Sequence, residues 1–226
     1  MSVFWSEFLS THSITGSQPQ SQAPATLYPI TDRQVINIEG ADSKKFMQGQ
    51  FTCHMDDITQ GQFRRGACCT AKGRMISSFN LAQRTEQNYL MSLHDSLAES
   101  TLQHLKKYMV FFKATMQATN MVLAGFKGPN APSILQTALG QCPQDDYQQA
   151  VCEFGLIIKL PFDAGFELFI EEGQAKRVLE SLISECQLTQ EALWPLNLIE
   201  HGLAQLTSVS VEKFIPQMLN LGQTGG

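Results

Sequence analysis

Between Tyr89 and Cys186 the chain switches repeatedly between two hydrophobic periods, and few folds accommodate that. Leu97, Thr101, Leu105 and Tyr108 share one stripe of a helix spanning 96–109. Strands are expected near 113–118 and 121–126, and a helix over 131–139 follows Pro129 and Pro132. The run F-E-L-F-I within 166–171 alternates as a strand does, after a strand region near 150–160. Val178, Leu179, Leu182 and Ile183 then return to the helical period within 174–186. Helices interleaved with strands able to pair antiparallel predict an α+β layer of the ferredoxin-like kind.

The flanking segments read differently. Phe4, Trp5, Phe8 and Leu9 fit a short amphipathic helix. Residues 15–26 are rich in Gln, Ser, Pro and Ala and read as a linker. A strand, V-I-N-I, ends at Gly40, and Asp42 is placed to cap a helix from Ser43 to about Gln50. Two half-apolar runs around Ala71-Lys72-Gly73-Arg74 predict a β-hairpin, with Lys72 at its tip as a solvated turn residue. Near the end, Pro195 places a helix start close to Trp194. Glu200 follows nearly two turns along in an apolar surrounding, and two readings are open. The pair binds a planar, nitrogen-rich ligand, or Trp194 is core and Glu200 a solvated carboxylate.

Composition removes several function classes. The 226 residues are 43% hydrophobic, an ordinary globular share, and the net charge of −5 gives no footprint for direct nucleic-acid binding. Six cysteines without a C-x-x-C pair suit a reduced, cytoplasmic protein, and no apolar run approaches the ~20 residues of a membrane span. P-loop, G-x-G-x-x-G, G-x-S-x-G and H-E-x-x-H patterns are missing from the sequence. Cys53, His54, Asp56 and Asp57 crowd one loop, which reads as a solvated loop before it reads as a metal site. His201 reads as a helix-surface neighbour of Glu200.

Five blocks then carry a resemblance. I-E-G-A-D-S-K-K-F-M-Q-G-Q-F-T (38–52), C-T-A-K-G-R-M (69–75), H-L-K-K-Y-M-V-F-F-K (104–113), W-P-L-N-L-I-E-H-G (194–202) and F-I-P-Q-M-L-N-L-G-Q-T-G-G (214–226) resemble the YgfZ-type folate-binding, tRNA-modifying proteins. These are relatives of the glycine-cleavage T protein, an aminomethyltransferase. The resemblance implies a discontinuous folate-binding domain, an inserted ferredoxin-like domain and a β-barrel beyond. On this chain the parts become an N-terminal helix and linker over 1–28, a folate-binding domain over 29–92 and 190–226, and a ferredoxin-like domain over 93–189.

It also implies a tetrahydrofolate cofactor and partnership with iron–sulfur and tRNA-thiolating enzymes. Trp194 matches a folate-contacting tryptophan, Glu200 the glutamate that contacts the pterin ring, and Lys72 the lysine of the A-K-G-[KR] hairpin. Physically, a carboxylate can take two hydrogen bonds from the pterin's amino-pyrimidinone edge. The chain departs from the pattern at four places. Arg33 stands where a relative has a second folate-contacting Trp, and His54 where the T-x-D pattern has Asp. Ser92-Leu93-His94 offers no match for the T protein's catalytic Asp, and the K-x-G-C-Y-x-G-Q-E motif would begin a few residues after Gly226. A folate-dependent accessory protein is therefore expected, with an aminomethyltransferase and a non-catalytic interaction module as alternatives.

Overall fold

A computed structural model describes residues 3–12, 14, 23–189 and 193–226, and divides the chain into two units. One comprises Met1–Thr31 and Asn120–Leu203, the other Asp32–Thr119 and Ala204–Gly226. Each has its own sheet, so the architecture is α+β as the hydrophobic periods predict.

The second unit is built on a five-stranded antiparallel sheet. Its strands are β2 (Arg33–Glu39), β3 (Arg64–Cys69), β4 (Met75–Thr85), β5 (Asn88–His94) and β6 (Thr115–Ala118), in the order β3-β4-β5-β2-β6. Helix α3 (Asp95–Met109) buries Leu97, Ala98, Thr101, Leu102 and Leu105, one stripe at helical spacing. The His94 imidazole accepts from the Ser96 amide at its start, while Lys106 and Lys107 sit in the last turn, where a cation suits the helix dipole. Helix α2 (Ser43–Gln48) adds Phe46 and Met47 to the same core. Asp42 precedes α2, but its side chain makes no cap bond. Its Oδ2 instead accepts from the Lys113 amide at 2.8 Å, a long-range partner invisible to a local reading.

The first unit carries a six-stranded sheet, ordered β11-β1-β7-β10-β9-β8. These are β1 (Thr26–Ile30), β7 (Val122–Lys127), β8 (Gln149–Cys152), β9 (Gly155–Lys159), β10 (Phe166–Ile170) and β11 (Gln187–Leu188). All neighbours pair antiparallel except β1 with β11. One apolar cluster gathers Leu27, Ala124, Phe126 and Leu168 from the strands with Ile134 and Leu135 of α4 (Ala131–Leu139) and Val178, Leu179 and Leu182 of α5 (Glu172–Ile183). Trp5 and Phe8 of α1 (Val3–Thr11) belong to it, and the Trp5 indole N–H donates to the Leu123 carbonyl at 3.0 Å.

The domain boundaries differ from the sequence expectation at every join. Helix α3 packs into the second unit's core and β6 pairs with β2, so the chain leaves that unit only after Thr119, not at residue 93. Thr26–Tyr28, at the end of the expected helix-and-linker part, belong to a strand, Thr26–Ile30, held by β7 on one side and β11 on the other. Residues 15–22 of the expected linker lie outside the described residues. The closing stretch divides at 203/204, because helix α6 (Leu193–Glu200) contacts β1 of the first unit. Among the described residues no helix is long and apolar enough to cross a membrane.

Candidate functional site

In the first unit Tyr28, Gly125 and Glu167 form one row across three strands, since Tyr28 pairs with Gly125 and Gly125 with Glu167. Residues in register share a face of the sheet. Gly125 contributes no side chain, and the Trp194 indole fills that gap: a Cβ at Gly125 would land on the six-membered ring. The indole N–H donates to Glu167 Oε1 at 3.2 Å, and the ring centroid lies 5.3 Å from that of Tyr28. Trp194 is 1% exposed and Glu167 fully buried. Trp194 is therefore the anchor that seats α6 on the sheet, and its ring face is not open to a ligand in this structure. Pro195 follows inside the helix's first described turn, where its missing N–H costs little.

Asn197, Glu200 and His201 follow at i, i+3 and i+4, which puts them on adjoining sides of α6. Sequence pattern places His201 on the helix surface. The structure instead half-buries it and ties it to Lys127, the last residue of β7. Lys127 Nζ donates to Asn197 Oδ1 at 2.8 Å and meets His201 Nε2 at 2.9 Å. An ammonium only donates, so Nε2 accepts and the imidazole proton sits on Nδ1, 2.6 Å from the Asn197 carbonyl. The Asn197 amide is oriented in turn by donating from Nδ2 to the Ala164 carbonyl at 2.8 Å. Burial pulls the Lys127 ammonium below the usual lysine range, against the charges of Glu200 and Asp163. Burial likewise pushes the Tyr28 phenol up; a hydrogen bond from Thr26 opposes this and the Glu200 charge adds to it. Glu200 itself is exposed. Leu196 and Ile199, apolar in sequence, are 49% and 70% exposed, and Leu196, four residues before Glu200, shares its face of the helix.

Lys72 belongs to the other unit. It is exposed at the tip of the β3–β4 hairpin, which closes through Gly73 N to Thr70 O and Thr70 N to Arg74 O, both 2.8 Å. Gly73 has φ +74°, the left-handed turn conformation expected of it. Arg74 Nη1 donates to the Lys213 carbonyl at 3.0 Å, and Met75 exchanges backbone bonds with Glu212 and Phe214. The C-terminal segment thus braces the hairpin. The structure brings Trp194 and Glu200 onto one helix and does not place Lys72 in the same unit.

The crowded loop at 53–57 resolves into ordinary contacts. Lys44 pairs with Asp56 at 2.7 Å, and His54 caps a short 3₁₀ turn by accepting from the Asp56 amide. Among the described residues no three metal-ligating side chains come together. All six thiols are free, and burial pushes Cys53, Cys68 and Cys186 up to about 12 and Cys152 up to about 11. A thiol needs its thiolate to react. Cys53 and Cys68 are accordingly expected to resist iodoacetamide at pH 8 in the folded protein and to react fully in urea. Mass spectrometry reads both sites, and rapid native labelling at either would contradict the buried placement.

The GCVT N-terminal domain family matches residues 20–218, and the chain belongs to that family. Within it, the chain is similar to the tRNA-modifying protein YgfZ of Aliivibrio fischeri (strain MJ11), 33% identical over 201 residues that cover 89% of this chain and 61% of the relative. The tRNA-modifying protein YgfZ of Escherichia coli O7:K1 is 34% identical over 215 residues, 92% of this chain and 65% of the relative. The chain thus spans less than two thirds of the length of these curated relatives. In fold it is similar to the glycine cleavage system aminomethyltransferase T from Bartonella henselae, with TM-score 0.66 and 20% identity over 75% of this chain and 48% of that one.

Proposed function

We propose that this chain binds tetrahydrofolate and acts as an accessory protein to iron–sulfur enzymes and tRNA modification. The observation that carries the reading is Glu200, an exposed carboxylate one turn beyond Asn197 on a helix seated by Trp194. The described residues fit the ligand's pterin end. An acceptor-only carboxylate suits its two ring-edge N–H donors, and the fixed Lys127 ammonium lies within range of the same charge. Trp194 holds this arrangement from beneath rather than stacking on the ring. The names of the YgfZ relatives, which describe tRNA modification, support the wider role.

Calorimetry with 5-formyltetrahydrofolate tests the reading. Wild type is expected to bind, and Glu200→Ala to weaken binding about 100-fold, the loss of two charge-assisted hydrogen bonds at roughly 1.5 kcal/mol each. Silence from wild type, or an affinity untouched by Glu200→Ala, defeats it. Lys72→Ala belongs in the same titration, since an exposed ammonium suits an anionic ligand group.

A further inference from the structure

The Lys127 clamp is more elaborate than a lysine needs at a strand end. Two acceptors from α6 fix the ammonium, and one of them, Asn197, is fixed in turn by Ala164. Among the described residues three N–H donors meet two acceptors, which leaves one donor unspent. Lys127 and Glu200 form no ion pair with each other, although Glu200 sits one residue from His201 on the same helix. The carboxylates of Glu200 and Asp163 act on the Lys127 charge, and the Lys159 side chain borders the same cavity as Lys127. Lys127 is only half-buried, and it borders a cavity of about 450 Å³ together with Pro129, Pro132, Lys159, Asp163 and Phe166, a lining that does not include Glu200.

We propose that Lys127 is a specificity-determining residue that reads the 4-position of the pterin bound at Glu200; this rests on the folate reading above. Glu200 only accepts and Lys127 only donates. A 2-amino-4-oxopyrimidine edge runs donor, donor, acceptor through its amino group, N3–H and O4, which complements that pair. In a 4-amino analogue N3 loses its proton and the 4-position becomes a donor, so the edge runs donor, acceptor, donor. It then opposes acceptor to Glu200 and donor to Lys127. If such a ligand turns over to present its other edge to Glu200, it forfeits the lysine contact instead. A charged donor facing a fixed wrong partner discriminates strongly because neither group can turn away.

Folic acid and aminopterin differ only at that position and serve as probes, in competition with 5-formyltetrahydrofolate. Wild type is expected to prefer folic acid, and Lys127→Met to shrink that preference about tenfold. Lys127→Gln, a neutral side chain of near-equal reach, is expected to do the same and covers the case in which the methionine variant does not fold. A preference unchanged in both variants, with Glu200→Ala still impairing binding, overturns the role of Lys127 and leaves the folate reading standing. Failure of every folate to bind wild type overturns both. A purely structural lysine would lower the affinities for the two probes equally, so an unchanged ratio with weaker binding also counts against the proposal.

Discussion

Gly40→Ala is expected to cost the second unit about 4 kcal/mol of stability, combining a strained backbone with an overfilled contact, each worth roughly 1–3 kcal/mol. Gly40 has φ +126°, which side-chain-bearing residues rarely adopt. An added Cβ would fall on the Lys113 carbonyl oxygen and lie 2.9 Å from Ala114 Cα. Both are backbone atoms and cannot rotate aside. The same crossing is held by three hydrogen bonds: Gly40 N to Gln87 O at 3.0 Å, Asp42 N to Lys113 O at 3.2 Å, and Lys113 N to Asp42 Oδ2 at 2.8 Å. A Cβ that pushes these two connecting segments apart threatens all three. Gly73→Ala is the control, since Gly73 also has positive φ but faces open space. It should cost only about 1 kcal/mol, the left-handed penalty alone. Urea unfolding followed by far-UV circular dichroism compares them, and equal losses would show that crowding at Lys113 contributes nothing.

The elements whose evidence is local were legible in the sequence. Helix α4 occupies Ala131–Leu139, as Pro129 and Pro132 indicate, and α3 starts within one residue of its predicted position. The Lys72 hairpin closes on Gly73 as A-K-G-R suggests. What was not legible depends on pairing between distant segments. Nothing in T-L-Y-P-I says that it will lie between β7 and β11, and nothing in T-M-Q-A says that it will edge β2. Each unit is therefore assembled from chain segments about 90 residues apart, and no local pattern marks where those segments meet.

The candidate site divides the same way. Glu200 and Trp194 could be singled out as a carboxylate and an indole in an apolar run. Their partners could not: Lys127 reads as a strand end, Gly125 as an unremarkable glycine in V-L-A-G-F, and Glu167 as one polar residue in F-E-L-F-I. The one local signal was Asn197 and His201 at i and i+4 on α6, a spacing that lets two side chains grip a single donor.

Trp194→Ala should be the most damaging single change in the first unit, at about 4 kcal/mol, within the range for truncating a buried tryptophan. The indole is 1% exposed, fills the space above Gly125, touches Tyr28 and donates to the buried Glu167. Trp194→Phe should cost less, about 2 kcal/mol, because the ring contacts survive and the N–H to Glu167 does not. The sharper test is the coupling between Trp194 and Gly125. Gly125→Ala alone drives a methyl group into the indole and should cost about 2 kcal/mol by overpacking. In the Trp194→Ala background the same methyl enters the vacated space, where it restores contact and adds strand propensity, and should be neutral or stabilising. The double-mutant cycle is therefore expected to show a coupling of about 2 kcal/mol, well above what separated sites give. Additive losses in urea unfolding would mean that the indole does not rest on Gly125, and the seating of α6, with the Glu200 and Lys127 arrangement built on it, would have to be redrawn.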